Sequence, residues 1–284
     1  EDDNLTYYKP TFKELCRRLI ARFPKREMEF VAMNGISYLS LDDELLELMR
    51  HAGFSYLNLA LVSSDQTVRE TTKRPHTLEA YVKIVSKAHA LGFRIVSYQI
   101  LGLPNESLNS MIQTLAFNAR LPVLLGASPF YQIPNSPIAR GLELNESDFI
   151  KARLTALAIE TDHFKREDIY TLFVTTRIVN FLKGLPLEAP TGLIDLINQS
   201  WLEPRTRIGF DLLKLLSQSG SLYFSTRQGL VENRKFRIEL FARVLQETGT
   251  IRCQNGATIS ARDFDRSSAH QSTWAVNAAS WPLG

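Results

Sequence analysis

Residues 95–107 read I-V-S-Y-Q-I-L-G-L-P-N-E-S, an apolar run that ends in Gly102-Leu103-Pro104 and passes into acidic and hydroxyl residues. That pattern predicts a buried parallel strand stopping at a tight turn, with an amphipathic helix to follow. Gly102 strips side-chain bulk from a place where backbone comes close to something flat, and Pro104 fixes the exit of the chain. In α/β proteins the C-terminal end of a strand, just ahead of a helix N-terminus, is where small ligands bind. Taken alone, the stretch reads equally well as a βα turn with no ligand. Its neighbours decide between the two.

The same rhythm extends upstream. Thr11 to Phe23, bracketed by Pro10 and Pro24, carries Phe12, Leu15, Leu19, Ile20 and Phe23 at helical spacing. Met28 to Met33 is a short strand ending at the turn pair Asn34-Gly35, and Glu1 to Leu5 reads as the tail of another strand. Leu41 to Ala52 is a helix with Asp42, Asp43 and Glu44 in its first turn, as the dipole prefers, and Gly53 stops it. Tyr56 to Val62 is a strand followed by Ser63-Ser64-Asp65, and Leu78 to Leu91 is a helix capped by Thr77 and ended by Gly92.

Downstream, a strand over Arg94 to Leu101, a helix over Ser107 to Arg120 and a strand over Val123 to Ala127 continue the alternation. Strand and helix in turn mean right-handed βαβ units and a parallel sheet, open or rolled into a barrel. After Pro137 helices are predicted over Asp148 to Phe164, Arg166 to Lys183, Leu193 to Ser200, Ile208 to Ser217 and Phe236 to Thr248, with Val174 to Ile178 β-branched enough to suit a strand as well. The expected division is an α/β part over residues 1–145, a helical region over 146–256 and an irregular polar tail over 257–284 holding Trp274 and Trp281.

The chain has 284 residues, 44% of them apolar, which is enough for a large core. Its net charge of +3 comes from 33 basic and 30 acidic residues spread along the sequence, so no dense cationic block supports nucleic-acid binding. No apolar run reaches the length of a membrane span and no basic-then-apolar leader is present, so a cytosolic protein is expected and no membrane partner. Cys16 and Cys253 belong to no metal or redox spacing and read as plain thiols. Because E-D-D-N-L-T begins in mid-motif, the chain is expected to be cut from a longer one.

If the strands are parallel, their C-terminal ends share one rim. That rim carries Asp2-Asp3-Asn4, Asn34-Gly35, Ser63-Ser64-Asp65, Gly102 to Glu106 and Ser128 to Tyr131. Polar residues at strand ends over apolar strand bodies are what a rim pocket requires. Asp2 and Asp3 suit an ammonium or a metal-bound water, though composition alone favours a surface acidic loop capping the next helix; Ser63 suits a ribose or carboxylate, or equally the cap of a helical turn. Arg74 suits a ligand carboxylate or a pairing with Asp65 or Glu79. His76 reads as a loop residue, and His51, His89, His163 and His270 as structural. No G-x-S-x-G, Walker loop, H-E-x-x-H or C-x-x-C occurs, which removes the signatures of hydrolysis, phosphoryl transfer and protein-bound zinc.

From Glu1 to about Ala139 these motifs resemble the radical S-adenosylmethionine (radical SAM) enzymes, and among them members with a cobalamin-binding domain. E-D-D-N-L-T is similar to the D-D-N-F ending of the family's second barrel strand. L-A-L-V-S-S-D-Q-T-V resembles the fourth-strand G-I-E-S-G-S-x-x-V, with Val62 in place of Glu. Q-I-L-G-L-P-N-E-S matches the fifth-strand I-x-G-x-P-x-E. S-P-F-Y-Q-I-P-N-S-P-I-A is like the P-G-T-P-L-A after strand six, with Asn135 and Ser136 for Gly and Thr.

The resemblance implies an incomplete parallel TIM-like (β/α) barrel, strands two to six of the family's core, with a mainly helical extension. It places Asp2, Asp3 and Asn4 at the methionine end of S-adenosylmethionine, Ser63 at the ribose, and Ile100, Gly102 and Ser128 at the adenine, with Glu106 fixing the loop and Arg74 as a reserve. It also implies a 4Fe-4S cluster whose C-x-x-x-C-x-x-C ligands lie outside this chain, since Cys16 sits on a predicted helix. The activity implied is formation of a 5′-deoxyadenosyl radical or cobalamin-dependent methyl transfer to a small molecule or peptide. The implied partner is an electron donor such as flavodoxin or ferredoxin. The rival readings are an aldolase-like barrel lyase, for which Lys25, Lys73 and Lys83 are poorly placed, and a degenerate binding homologue without the chemistry.

Overall fold

The structure is a computed structural model that describes residues 4–25, 27–32, 34–73, 77–130, 159–185 and 204–264. It divides into two compact units, Glu1–Phe164 and Lys165–Gly284. In the first unit, β1 (Phe30–Val31), β2 (Phe54–Val62), β3 (Arg94–Leu101) and β4 (Leu124–Pro129) form one sheet in the order β1-β2-β3-β4, with every neighbouring pair parallel. When each crossover returns the chain to the next strand in the same direction, right-handedness puts the crossover helices on one face. A doubly wound sheet would reverse its order, so this is an arc of a (β/α) barrel, the expected fold class.

Helix α1 (Lys9–Arg22) precedes β1, α2 (Asp43–Ala52) links β1 to β2, α3 (Gln66–Thr71) and α4 (Leu78–Ala90) link β2 to β3, and α5 (Leu108–Arg120) links β3 to β4. Their starts are set by side chains that satisfy orphan backbone donors. Asp42 accepts from the N–H of Leu45 at 2.8 Å, Thr77 from Ala80 at 3.2 Å and Ser107 from Ser110 at 3.1 Å. Gly53 closes α2 at φ 107°, where a Cβ would lie 2.5 Å from the Met28 carbonyl oxygen, so no larger residue fits.

Alternation along β3 sorts its side chains. Ile95, Ser97, Gln99 and Leu101 are buried beneath the helices, whereas Val96, Tyr98 and Ile100 point to the other face. The helix side is a continuous core in which Leu45, Leu46 and Met49 of α2 and Tyr81 and Val85 of α4 meet Leu57 and Leu59 of β2, with Phe12 and Cys16 of α1 at its margin. At its centre Tyr81 donates to Ser97 Oγ at 2.6 Å, and Ser97 donates to Asn118 Oδ1 at 2.8 Å, so α4, β3 and α5 share one hydrogen-bonded chain. The Tyr81 ring stands edge-on to Tyr38 at 5.1 Å, and burial pushes its phenol well above the ordinary value.

The second unit holds α6 (Arg166–Lys183), α7 (Pro204–Ser219) and α8 (Ile238–Thr248), with two antiparallel hairpins, β5 (Tyr223–Thr226) with β6 (Gly229–Glu232) and β7 (Thr250–Arg252) with β8 (Thr258–Ser260). Asp168 ties its parts together: its carboxylate accepts the Lys165 N–H at 2.8 Å and pairs with Arg237, while the Arg237 N–H binds Thr171 Oγ1 at 3.0 Å. No helix among the described residues is long and apolar enough to cross a membrane.

Several expectations change. The strand over Met28 to Met33 contracts to Phe30–Val31, because the chain leaves the ladder and rejoins it as a single bridge from Ile36 to Leu59. Asn4 to Thr6 form a turn. The helix expected over Asp148 to Phe164 does not reach its stated end: residues 161–164 form a turn closed by the Thr161–Phe164 bridge, and 148–158 lie outside the described residues. The helix expected over Leu193 to Ser200 also lies outside them. Thr258–Ser260, placed in an irregular tail, pairs with β7. The β-branched run from Val174 to Ile178 is helical throughout, inside α6.

Candidate functional site

Because the four strands are parallel, their C-terminal ends lie along one edge of the sheet. Cross-strand register pairs Val62 with Gln99, Ile100 with Ser128 and Leu101 with Pro129. Ser63, Ile100, Gly102 and Ser128 are therefore neighbours on that edge, although they span residues 63–128 of the chain.

Each arrives there for a local reason. A register shift between Ala60 and Val62 breaks the alternation of β2, and Val62 adopts φ 70°, a left-handed conformation that a β-branched residue resists. Val62 and Ser63 are consequently both buried, and the Ser63 hydroxyl turns inward. It donates to Glu106 Oε1 at 2.9 Å, and Ser110 of α5 donates to the same oxygen at 3.0 Å. Thr114, one turn further along α5, accepts the Ser64 N–H at 2.8 Å and lies 3.2 Å from Ser63 Oγ. From the other side Arg69 of α3 donates to the carbonyls of Ser63 and Ser64, and Asp65 caps α3 by accepting the Thr67 N–H at 2.8 Å.

Glu106 is the hub of this lattice. It is 2% exposed, and burial raises its pKa to about 7, with the charge of Asp65 adding to the rise and the hydroxyls of Ser63 and Ser110 opposing it. Its second oxygen, Oε2, has no hydrogen-bond partner among the described residues. Near neutral pH the carboxyl therefore sits balanced between its charged and neutral forms.

Above the lattice the edge is apolar. Ile100 and Phe130 pack against Val62, Val68 and Leu103, and Gly102 turns the chain at φ 83° while its N–H points at Met111 Sδ, 3.0 Å away. Ser128 is exposed, directly across the ladder from Ile100.

The structure thus brings together Ser63, Ile100, Gly102, Glu106 and Ser128. The Ser63 side chain is committed to Glu106 and is not presented to the open edge, so a ribose contact at this position falls to its neighbours. Asn4 lines a cavity of about 430 Å³ with Leu5, Tyr7, Tyr8, Thr11, Phe12 and Leu15, a group that shares no residue with the strand-end lattice. Asp2, Asp3, Arg74 and His76 lie outside the described residues. Ser110, Thr114 and Arg69 were not singled out from the sequence. A signal for two of them existed, since Ser110 and Thr114 stand four apart on the buried face of a helix where apolar residues are the rule.

The residues fit an adenosine-bearing ligand in one respect: a left-handed glycine with no Cβ stands at the sheet edge beside an isoleucine and an exposed hydroxyl. They do not fit an iron–sulfur cluster. Such a cluster takes several thiolates, and this chain has two cysteines. Cys16 is fully buried on α1 with its thiol pushed up to about 11 by burial, and Cys253 is buried with its N–H bonded to the Ala257 carbonyl. No group of three metal-ligating side chains occurs among the described residues.

Comparison with known proteins finds partial similarities. The model of the family described as the Radical SAM superfamily matches residues 3–117. Cytidylyl-2-hydroxyethylphosphonate methyltransferase of Streptomyces wedmorensis is 30% identical over 105 residues, which are 37% of this chain and 19% of that protein. The chain thus spans about a fifth of the length of that relative. Among solved structures, the radical S-adenosylmethionine methyltransferase TsrM from Kitasatospora setae, with cobalamin and a 4Fe-4S cluster bound, superposes with a TM-score of 0.42 at 16% identity, covering 49% of this chain and 28% of that one. Coproporphyrinogen III oxidase (HemN) from Escherichia coli gives 0.41 at 16% identity, covering 80% of this chain and 47% of its own. Through residues 3–117, the chain is similar to the radical SAM superfamily.

Proposed function

We propose that this chain supplies the S-adenosylmethionine-binding strand ends of a longer radical SAM enzyme, and that the enzyme transfers a methyl group. The observation that carries the reading is the cross-strand pair Ile100–Ser128 beside left-handed Gly102, on an edge stiffened by the Ser63–Glu106–Ser110 lattice. In this reading Ile100 and Gly102 receive the adenine, Ser128 offers its hydroxyl to the nucleoside, and the lattice keeps the loops after β2 and β3 from moving apart. Glu106 and Ser63 act as positioning residues. Asp2, Asp3 and Asn4 are assigned to the methionine end.

Methyl transfer is favoured over radical formation alone by the Streptomyces relative, a methyltransferase. S-adenosylmethionine, when bound, supplies an activated methyl group. The 4Fe-4S cluster, cobalamin and a flavodoxin or ferredoxin electron donor belong to the proposal for the longer protein, with ligands outside these residues. An aldolase-like lyase finds no support in the three lysines considered for it, since Lys25, Lys73 and Lys83 are exposed.

Substitution of Gly102 by valine is a poor test, because φ 83° strains any β-branched residue whatever the ligand does. Ser128→Trp is cleaner: the position is exposed, and the indole covers the edge without entering the core. Titration of the chain with S-adenosylhomocysteine, by calorimetry or by saturation-transfer NMR for weak binding, is expected to show one site. In Ser128→Trp affinity should fall by at least tenfold with an unchanged melting temperature. A wild-type chain that binds no S-adenosylhomocysteine by either method overturns the proposal.

A further inference from the structure

On the face of the sheet away from the core helices, the register runs Ala60, Tyr98, Gly126 across β2, β3 and β4, with Gly35 on the far side of Ala60. Two small residues, Ala60 and Gly126, flank one aromatic ring. The ring lies down over Gly126 so closely that a Cβ there would stand 2.6 Å from its Cδ1, 2.8 Å from its Cε1 and 3.0 Å from its Cγ. β3 is paired on both sides, yet Tyr98 remains 38% exposed while its neighbours in sequence, Ser97 and Gln99, are buried at 1% and 2%. Its phenol makes no hydrogen bond among the described residues.

Tyr98 shares its face with Ile100, two residues on, and its pairing partner Gly126 likewise precedes Ser128. The ring thus lies about 6.6 Å inward from the Ile100–Ser128 pair along the strands. A ring held flat by a glycine that cannot push it away is an aromatic surface prepared before any ligand arrives, which removes part of the ordering cost of binding.

We propose that Tyr98 is the floor of the nucleoside subsite, its ring supporting the adenosine moiety held at the Ile100–Ser128 pair, and that Gly126 exists to let the ring lie in that position. This rests on the S-adenosylmethionine reading and adds to it a specificity residue. The occupant is a flat, weakly polar nucleoside, because the floor of Ala60, Gly126 and the ring offers area and one unpaired hydroxyl but no charge.

The test measures affinities of S-adenosylhomocysteine, methylthioadenosine and methionine for the wild-type chain and for Tyr98→Phe, Tyr98→Ala, Gly126→Ala and the double variant Tyr98→Ala/Gly126→Ala. Loss of a base–aromatic contact is expected to weaken both nucleosides by about tenfold in Tyr98→Ala and to leave methionine unchanged. Tyr98→Phe should stay within about twofold of wild type, because it keeps the ring. Gly126→Ala, which lifts the ring, should match Tyr98→Ala and add nothing in the double variant, a coupling that independent packing defects would not give. If the wild type binds nucleosides and Tyr98→Ala binds them equally well, with or without a lower melting temperature, the ring is packing alone and the proposal falls while the nucleotide reading stands. If the wild type binds no nucleoside, both fall.

Discussion

Truncating Tyr81 to alanine is expected to destabilise the first unit by about 3–5 kcal/mol, the range for removing a fully buried aromatic ring. The ring fills the space between α4 and the sheet, contacts Tyr38 edge-on, and starts the hydrogen-bonded chain through Ser97 to Asn118. Alanine empties that space and takes away the donor to Ser97 Oγ. Tyr81→Phe separates the two contributions. It keeps the ring and should lose only about 1 kcal/mol, the net worth of one buried hydrogen bond. Urea unfolding of both variants, compared at constant m-value, reads the difference; equal losses would mean that the hydrogen bond, not the ring, dominates.

Glu106 should make the chain less stable as pH rises from about 4.5 to 7. Its folded pKa is raised to about 7 from 4.5, chiefly by burial. Below 4.5 the carboxyl is protonated in folded and unfolded states alike, and folding carries no electrostatic penalty. Between the two values the unfolded chain has released the proton and the folded chain still holds it, so stability falls with pH; above about 7 the loss is complete. Its size is on the order of 3 kcal/mol. Glu106→Gln keeps an acceptor for Ser63 and Ser110 but cannot ionise, and should flatten the melting-temperature profile across this window. A wild-type profile as flat as that of Glu106→Gln would show that the carboxyl is not held neutral by the lattice.

Much of the first unit is legible in the sequence because its signals are long and locally redundant. α2 announces itself by Asp42 before the apolar period and Gly53 after it, and β2 and β3 by apolar runs that stop at polar clusters. What escapes is short. α3 has six residues, too few for a period, and is held by the Asp65 cap and by Arg69 reaching back to two carbonyls. The β5–β6 hairpin turns through Arg227 and Gln228, neither of them a strong turn former, and its alternation lasts four residues a side.

The strand-end group is legible as a set of positions and not as a set of orientations. Parallel strands dictate that Ser63, Gly102 and Ser128 share an edge, and they do. Which way Ser63 points depends on a register shift and a left-handed valine just before it, and neither leaves a trace in composition. The burial of Glu106 depends in turn on that orientation. Tyr98 reads as one more apolar residue of a strand until the glycine across the ladder gives its ring a place to lie.

The seclusion of Cys16 and Cys253 has a practical corollary. A thiol-specific dye added to the native chain can label neither sulfur until its own neighbourhood opens, α1 for the first and the β7–β8 turn for the second. The labelling rate of each cysteine therefore clocks local opening in its own unit, and a single-cysteine pair of variants would time the two halves of the chain separately, without any cofactor in the tube.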